Sequence, residues 1–235
     1  MADGIYVGMS GAVARAEQLD AIADNLANMQ SPGFRAARPA FETFLPGNGA
    51  GDKAFTAAVD SGVDLRPGMT QRTGNALDVL PENGAFLSVQ TPTGQQAFTR
   101  NGHLTVDANG RLTSGGNLVL STAGRPIDVP LDAKVAITAQ GVVLADGLPG
   151  ETVQRVHLEG GVARLAPTLV VPKGDGKAVP SDAAVRSGEL EMGNSNALES
   201  TVQMVSAQRN YETSMQAIQT YRRLDERATE LGKVR

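Results

Sequence analysis

The stretch Asn25-Leu26-Ala27-Asn28-Met29-Gln30-Ser31-Pro32-Gly33-Phe34-Arg35 ends an amphipathic segment and turns the chain sharply out of it. Ser31 precedes Pro32, and a residue before proline is pushed out of the helical region of backbone conformation. Pro32 cannot donate to a helical hydrogen-bond ladder, and Gly33 allows backbone angles that other residues resist. The stretch therefore predicts the end of a helix and a tight turn, with Phe34 as an apolar anchor just beyond it.

The segment before this turn carries a heptad pattern of apolar and small residues. They recur at alternating intervals of four and three residues, which is the spacing of a helix that packs along another helix. The positions are Ile5, Met9, Ala12, Ala16, Leu19, Ala23 and Leu26. We expect one helix from Gly4 to Met29. It needs a partner, because Gly8 and Gly11 weaken it by up to about 1 kcal/mol each relative to alanine.

The composition limits the classes of function that the chain can have. It has 235 residues, no Cys, no Trp, 4% aromatic residues and a net charge of -4. Without Cys, the chain has no disulfides, thiolate metal sites or cysteine nucleophiles. Its basic residues form no stripe that could follow a phosphate backbone, so we expect no nucleic-acid partner.

Neither a membrane span nor a secretory signal is expected. No apolar run approaches the ~20 residues that a membrane-spanning helix needs. The N-terminus, Met1-Ala2-Asp3, lacks the basic region that opens a secretory signal peptide.

The middle of the chain contains two regions that differ in their sequence patterns. Residues 36–73 have little periodicity, and we interpret them as an extended linker with one short strand. From Gly74 on, short alternating runs are separated by turn pairs, which is typical of an all-β module. Within it, Asp107-Ala108-Asn109-Gly110 predicts a hairpin turn, because Asn-Gly is a strong signal for one. The polar stretch 173–187 is interpreted as a connector near the end of this module.

The C-terminal segment predicts a second long helix. It opens at Asn194-Ser195-Asn196 and runs to about Leu231, with Gly232 as its stop. Asn196 is the expected N-cap, with Glu199 three residues later. The helix carries two apolar stripes, which suggests that its halves face different partners. The first comprises Leu198, Val202 and Val205, and the second Tyr211, Met215, Ile218 and Leu224.

These elements predict an α+β fold. The N- and C-terminal helices would pair as a coiled-coil-like core domain, with an all-β module inserted between them. The expected domains are 1–35 for the first helix, 36–73 for the linker, 74–190 for the β-rich module and 191–235 for the second helix. Terminal helices of this length suit a subunit that packs head-to-tail into an open helical array.

No constellation of residues typical of catalysis is present. His103 and His157 are the only histidines, and each lies in a predicted strand without a metal-ligand motif around it. Residues 107–110 resemble the start of a calcium loop, but the later ligands of that loop are missing. We therefore expect no enzymatic activity, no catalytic residues, no cofactor, no metal and no small-molecule substrate.

Three sets of motifs resemble those of bacterial flagellar rod and hook proteins. The first is the signature formed by Asn25, Leu26, Ala27, Asn28, Ser31, Pro32, Gly33 and Phe34. The second is Thr73-Gly74-Asn75-Ala76-Leu77-Asp78-Val79, with Thr99-Arg100-Asn101-Gly102, and the third is Ala207-Gln208-Arg209-Asn210-Tyr211-Glu212. The chain departs from the family at Ser31, where Thr is usual. It departs again at Leu80-Pro81-Glu82-Asn83, where the proline implies a break in the strand.

The resemblance implies a structural subunit of the flagellar basal-body rod. Such a subunit self-assembles with other rod proteins into a helical drive shaft that transmits torque to the hook. It leaves the cell through the flagellar type III export apparatus without a cleaved signal peptide, and lies in the basal body, spanning the periplasm. Gly124-Arg125-Pro126-Ile127-Asp128-Val129-Pro130 resembles the proximal-rod branch more than the distal one. The residues expected at assembly contacts are Ile5, Met9, Leu19, Leu26, Tyr211, Met215 and Ile218.

Two alternatives stay open. One is a distal-rod protein of the same family. The other is a cell-wall glycan-binding β-module with helical anchors, which is disfavoured because the chain offers no aromatic platforms for sugars and no paired carboxylates in a strong context.

Overall fold

The computed structural model of the chain describes residues 2–44 and 55–233, which form two long helices and eighteen strands. The helices are α1 (Ala2–Ala27) and α2 (Ala197–Lys233). The strands are β1 (Ala37–Phe44), β2 (Phe55–Val63), β3 (Thr70–Arg72), β4 (Val79–Pro81), β5 (Phe86–Gln90), β6 (Gln96–Thr99), β7 (Leu104–Val106), β8 (Leu112–Ser114), β9 (Asn117–Val119), β10 (Val135–Ile137), β11 (Val142–Ala145), β12 (Leu148–Thr152), β13 (Arg155–Glu159), β14 (Val162–Ala166), β15 (Leu169–Pro172), β16 (Lys177–Pro180), β17 (Val185–Ser187) and β18 (Glu189–Glu191). The predicted α+β class is confirmed at this level.

The chain divides into two compact units. The helical unit contains α1, β1, most of β2 and α2, and β1 and β2 form a two-stranded sheet. The β unit comprises Asn28–Ala36 and Val63–Ser195. No helix within the described part of the chain is both long enough and apolar enough to span a membrane.

In the helical unit, α1 and α2 run in opposite directions. A Cβ atom placed on Gly8 would lie 2.9 Å from Cγ1 of Ile218, and one placed on Gly11 would lie 3.9 Å from Oγ of Ser214. Residue numbers therefore rise along α1 as they fall along α2. The least exposed side chains of α2 recur at intervals of four and three residues, at Ser200, Met204, Ala207, Tyr211, Ser214 and Ile218.

The helix boundaries differ slightly from those predicted. α1 ends at Ala27 rather than Met29, because the turn begins earlier: the Ser31 amide donates to the Asn28 carbonyl over 2.9 Å. At the start of α2, Asn196 Oδ1 accepts a hydrogen bond from the Leu198 amide at 2.9 Å, which confirms Asn196 as the N-cap. Gly232 was predicted to stop α2, but the helix continues through it to Lys233.

The β unit is built around a largely aliphatic core. Its main sheet places the strands in the order β14-β15-β6-β5-β9-β8-β7, and β13 pairs with both β5 and β16. Beneath it lies a cluster of buried residues that includes Leu87, Val89, Leu104, Leu112 and Val119. A separate antiparallel sheet consists of β10, β11 and β12.

Two segments that the sequence indicated as irregular contain strands. The stretch 173–187, predicted as a connector, contributes β16, which pairs with β13, and β17, which pairs with β4. The stretch 36–73, predicted as a linker with one short strand, contains β1, β2 and β3. The strands β3, β16 and β17 have only three or four residues, which is too short an alternation to be recognised from sequence, whereas β1 and β2 are longer strands that the sequence analysis missed. Residues 45–54 of the predicted linker lie outside the described residues.

The hairpin predicted at Asp107–Gly110 is confirmed. β7 and β8 pair antiparallel across it, and the Gly110 amide donates to the Asp107 carbonyl over 3.0 Å. Asp107 Oδ1 accepts from the amides of Arg111 at 2.9 Å and Asn109 at 2.8 Å. These hydrogen bonds, foremost that from the Arg111 amide, lower the pKa of Asp107. The turn itself therefore occupies the carboxylate that resembled a calcium ligand.

Candidate functional site

A buried ion cluster lies in the β unit, where the strand before α2 meets the signature turn. We call it the Glu191 junction, formed by Gly33, Arg35, Gly68, Arg100 and Glu191. Glu191 ends β18 and is 1% exposed. Its Oε1 lies 2.7 Å from Arg35 Nη2 and accepts a hydrogen bond from the Gly68 amide over 2.8 Å. Its Oε2 accepts from Nε of Arg100 over 2.8 Å and also from Nη2 of that residue.

Arg100 is fixed on both sides of its guanidinium. Besides Glu191, it donates through Nη1 to the Pro81 carbonyl at 2.8 Å and to the Ala85 carbonyl. Both carbonyls flank the turn between β4 and β5. The guanidinium carbon also lies 5.9 Å from the centroid of the Phe86 ring, within the range of a cation–π contact. Arg100 thus ties this turn to the C-terminal strand.

The charges of the junction stabilise each other. Burial by itself raises the pKa of Glu191, but Arg35, Arg100 and the Gly68 amide more than reverse this, so the pKa lies below the usual value. Burial lowers the pKa of Arg100, and the Glu191 carboxylate opposes that effect. The charges of two buried guanidiniums, those of Arg35 and Arg100, are therefore compensated by the Glu191 carboxylate. Removal of that carboxylate would leave both charges buried without compensation.

Gly33 allows the signature turn to approach the cluster. It has φ of +70°, and a Cβ at this position would lie 2.1 Å from the Asn101 amide nitrogen. Its own amide donates to the Glu191 main-chain carbonyl over 2.7 Å. Only glycine satisfies both the backbone angle and the close contact. The Ser-Pro-Gly-Phe turn is thus shaped to lie against the Thr-Arg-Asn-Gly motif.

The residues next to the turn are anchored as well. Phe34 is fully buried, and the Arg164 guanidinium lies over its ring at 4.8 Å while donating to the Arg35 carbonyl. The amide of Ala36 donates to Asn194 Oδ1 over 2.7 Å. Asn194 Nδ2 in turn donates to the carbonyls of Asp64 at 2.8 Å and Arg66 at 2.9 Å. The segments that leave α1 and lead into α2 are therefore held together inside the β unit.

Asn25, the first signature asparagine, acts within the helical unit. It is buried, and its Oδ1 accepts from the Ala37 amide at 2.8 Å while its Nδ2 donates to the Ala37 carbonyl at 2.9 Å. A side-chain amide matches both hydrogen-bonding groups of one backbone residue, which a carboxylate could not do. Asn25 thereby fixes the first residue of β1 against the end of α1.

The sequence did not predict this junction. Arg100 belongs to a recognised motif and Arg35 follows another, but Glu191 lies in no motif that was singled out. The two arginines are 65 residues apart in the chain, and Glu191 follows Arg100 by 91 residues. The signal that could have indicated the junction was the position of the two arginines within or beside recognised motifs: Arg35 directly follows Ser-Pro-Gly-Phe, and Arg100 directly follows Thr99.

The seven residues predicted at assembly contacts are distributed over both helices. Met9 and Met215 are exposed, whereas Ile5, Leu19, Leu26, Tyr211 and Ile218 are half-buried. Two apolar stripes are more exposed than most of these seven residues; one of them includes Met9, and the other is the first stripe predicted on the C-terminal helix. The first, called here the α1 stripe, comprises Tyr6, Met9 and Val13, at 58%, 49% and 54% exposure. The second, the α2 stripe, comprises Leu198, Val202 and Val205, at 76%, 59% and 46%.

The two histidines lie on strands or bridges. His103 forms an isolated bridge with Asp78, and its Nδ1 lies 2.7 Å from Asp78 Oδ1. His157 is part of β13. Among the residues that the structure describes, no group of three or more His, Asp and Glu side chains could hold a metal ion.

Comparison with known proteins matches three parts of the chain to flagellar families. Residues 5–35 match the family described as "Flagella basal body rod protein". Residues 82–145 match "Flagellar hook protein FlgE/F/G D1 domain", and residues 186–231 match "Flagellar basal body rod FlgEFG protein C-terminal".

Relatives match over nearly the whole chain. The flagellar basal-body rod protein FlgF of Escherichia coli K12 is 33% identical, with 93% of each chain covered. FlgF of Salmonella typhimurium LT2 is 31% identical over 98% of each chain. The flagellar basal-body rod protein FlgG of Bacillus subtilis 168 is 28% identical, with 94% of this chain and 95% of the relative covered. The chain therefore belongs to the flagellar basal-body rod protein family, and is a structural subunit of the rod in the flagellar basal body.

Proposed function

We propose that this subunit is a segment of the drive shaft, which self-assembles with other rod proteins into a helical array and transmits torque to the hook. The observation that carries the proposal is the exposure of the α1 and α2 stripes on the helical unit. Single exposed apolar residues are ordinary, but rows at helical spacing are typical of surfaces that a partner covers. A shaft needs such contacts in every subunit.

The two terminal helices are proposed to pair as a coiled-coil core. The antiparallel approach of Gly8 to Ile218 and the heptad spacing from Ser200 to Ile218 support this. In this arrangement the half-buried residues among the seven predicted contacts, such as Leu26 and Tyr211, support assembly by stabilising the helix pair. Met9 and Met215 would contact neighbouring subunits directly.

The position in the rod and the route to it are inferred from the family. Relatives named FlgF match at 33% and 31% identity and the Bacillus FlgG at 28%, which favours the FlgF branch and hence the proximal rod over the distal-rod alternative. Export through the flagellar type III apparatus, without a cleaved signal peptide, and a location spanning the periplasm follow from that proposal.

A mechanical rather than enzymatic role is proposed on chemical grounds. A cavity of about 420 Å³ adjoins the Glu191 junction. Its charged side chains are already engaged with each other: Arg100 with Glu191, and Arg186 with Glu82 over 3.3 Å. Groups held in ion pairs are poorly placed to exchange protons with a substrate.

The proposal is tested by genetic complementation in a strain that lacks this gene. We expect the deletion to abolish swimming and hook assembly, and the wild-type chain to restore both. Leu26→Asp should fail to restore them, because it places a charge at a half-buried position of α1. Gln30→Asp, at an exposed residue of the following turn that is not among the signature residues, is the matched control and should restore motility. Normal swimming in the deletion strain would refute the rod function.

A further inference from the structure

Asparagine followed by glycine occurs four times in the chain, and one of these pairs, Asn48-Gly49, lies outside the described residues. The described pairs are Asn83-Gly84, Asn101-Gly102 and Asn109-Gly110. Asparagine is a labile residue, and a glycine after it offers the least hindrance to attack by the backbone nitrogen on the side-chain amide. The three described pairs share this chemistry but differ in their surroundings.

Asn83 and Gly84 form an exposed turn between β4 and β5. Their φ values are +53° and +71°, and positive values at both central positions are typical of a type I′ β-turn. The Ala85 amide closes the turn by donating to the Glu82 carbonyl over 3.0 Å. The dipeptide is thus held at its two ends, while its own atoms face solvent.

Gly84 has the freedom that an attack on Asn83 needs. Within the described part of the chain, its amide donates to no hydrogen-bond acceptor, and a Cβ atom placed on it would meet nothing within 4 Å. Both residues also line the cavity of about 420 Å³ that adjoins the Glu191 junction. The peptide unit between them can therefore rotate toward the Asn83 side chain without displacing neighbouring atoms.

At Asn109-Gly110, the attacking nitrogen is restrained. The Gly110 amide donates to the Asp107 carbonyl over 3.0 Å, and a hydrogen bond to the protonated form opposes loss of the proton. A Cβ on Gly110 would lie 2.6 Å from the Val129 carbonyl oxygen, so the glycine is also packed tightly. Asn109 is exposed, but its neighbour cannot move toward it.

At Asn101-Gly102, both residues are fixed by packing and hydrogen bonds. Gly102 is buried, and a Cβ placed on it would overlap with the Val79 carbonyl oxygen. The Asn101 side chain accepts a hydrogen bond from the His103 amide over 3.0 Å, and its main-chain carbonyl accepts from Ser114 Oγ over 2.7 Å. A rotation of this peptide unit would break these contacts.

We propose that Asn83 is the modification site of the β unit: it deamidates in the folded protein, whereas Asn101 and Asn109 are protected by the fold. A base removes the proton of the Gly84 amide, and the nitrogen bonds to Cγ of Asn83, whose side-chain nitrogen leaves as ammonia. Water then opens the five-membered imide at either of its two carbonyls, which gives aspartate or isoaspartate. In sum, an amide and water become a carboxylate and an ammonium ion.

The products alter a turn that Arg100 holds. The carbonyls of Pro81 and Ala85, on either side of the turn, both accept hydrogen bonds from Arg100 Nη1. Isoaspartate lengthens the turn by one backbone atom, because the main chain then passes through the side chain. Either product also adds a negative charge next to Glu82. The modification therefore loosens the contact between this turn and the Glu191 junction.

Ageing of the purified full-length chain tests the site. The protein is incubated in heavy-oxygen water at mildly alkaline pH, once folded and once unfolded in guanidinium chloride, and is then digested and analysed by mass spectrometry. Uptake of the label marks asparagines that convert during the incubation. In denaturant, Asn83, Asn101 and Asn109 should convert at similar rates, because each precedes glycine. In the folded chain, Asn83 should convert at least about tenfold faster than the other two, whose reaction requires local opening of the β unit.

Two results would overturn the proposal. One is conversion of Asn101 or Asn109 in the folded chain at the rate of Asn83. The other is an Asn83 that stays intact in the folded chain over a time in which denaturant allows its conversion.

Asn83→Asp is the matched control for the effect on the turn, because it supplies the charge and keeps the length of the backbone. Hydrogen exchange at Ala85 and Phe86 should be faster in the aged protein that contains isoaspartate than in Asn83→Asp. Equal exchange in the two proteins would refute the loosening of the turn.

Discussion

At the scale of single residues, Glu191 connects several segments of the β unit. It is the carboxylate that compensates both Arg35 and Arg100, and its main chain binds the signature turn through Gly33. A buried ion cluster adds little net stability, because desolvation of the charges offsets most of their attraction. It does penalise every arrangement in which the charges do not meet. The junction therefore selects one register for the strand that leads into α2.

We expect Glu191→Gln to destabilise the β unit by about 3 kcal/mol, the lower end of the cost of breaking a buried ion pair. All three tyrosines lie in α1 and α2, so tyrosine fluorescence does not report on this unit. Hydrogen exchange does report on the β unit. In Glu191→Gln, the slowest amides of β5 and β6 should exchange roughly 100-fold faster than in the wild type.

Glu189→Gln is the matched control on the same strand. Glu189 pairs with Arg72 over 3.2 Å and with Arg186 over 2.9 Å, and both arginines are exposed, so each pair contributes at most about 1 kcal/mol. The stability of both proteins at acidic pH gives a second check of the role of Glu191. Because the folded-state pKa of Glu191 is lowered, its stabilisation is present above the unfolded pKa and is lost as pH falls through the folded value. The difference in the free energy of unfolding between wild type and Glu191→Gln should therefore decrease as pH falls through that range. A difference that stays constant with pH would contradict this role of Glu191.

At the scale of elements, α2 has two faces of different character. The inward face alternates small and large residues: Ser200, Ala207 and Ser214 are the small ones, and Ser200 and Ala207 are buried. Small side chains allow close approach of another helix, as at Gly8 and Gly11 on α1. The opposite face carries the exposed apolar residues of the α2 stripe. Burial thus separates the inward residues of α2 from the apolar residues that it leaves exposed.

We expect Ala207→Glu and Val205→Glu to differ sharply, although the residues are two positions apart. Ala207 is 2% exposed, so a glutamate there buries a charge and should cost several kcal/mol in the free subunit. Val205 is 46% exposed, and its replacement should change the stability of the free subunit by less than about 0.5 kcal/mol. Thermal unfolding followed by helical circular dichroism measures both, and equal midpoints would contradict the assignment of faces.

At the scale of the molecule, the two units differ in how many apolar side chains they bury. The β unit has a continuous core of fully buried aliphatic residues. In the helical unit, the residues of α2 beyond Ile218 whose side chains are described are all exposed. Because apolar burial is the main source of folding stability, the two units should differ in stability in the free, unassembled subunit.

We therefore expect the amides of α1 and α2 to exchange faster than those of β5, β6 and β9 in the free subunit. Hydrogen exchange followed by mass spectrometry separates the two regions in one experiment. The assembled rod provides the comparison, because there the helices should become protected. Equal protection of helices and strands in the free subunit would show that the helical unit is stable without partners.

The sequence by itself determined the features that depend on neighbouring residues. The Pro32-Gly33 turn, the Asn196 cap and the Asp107–Gly110 hairpin follow from local backbone chemistry, and the motifs identified the family. Only the tertiary structure decided which carboxylate meets Arg35 and Arg100, because partners so far apart in the chain leave no periodic trace. It also decided which apolar positions of α1 and α2 are exposed. A heptad pattern shows that a helix has a partner, but several faces can satisfy it, and only packing selects one.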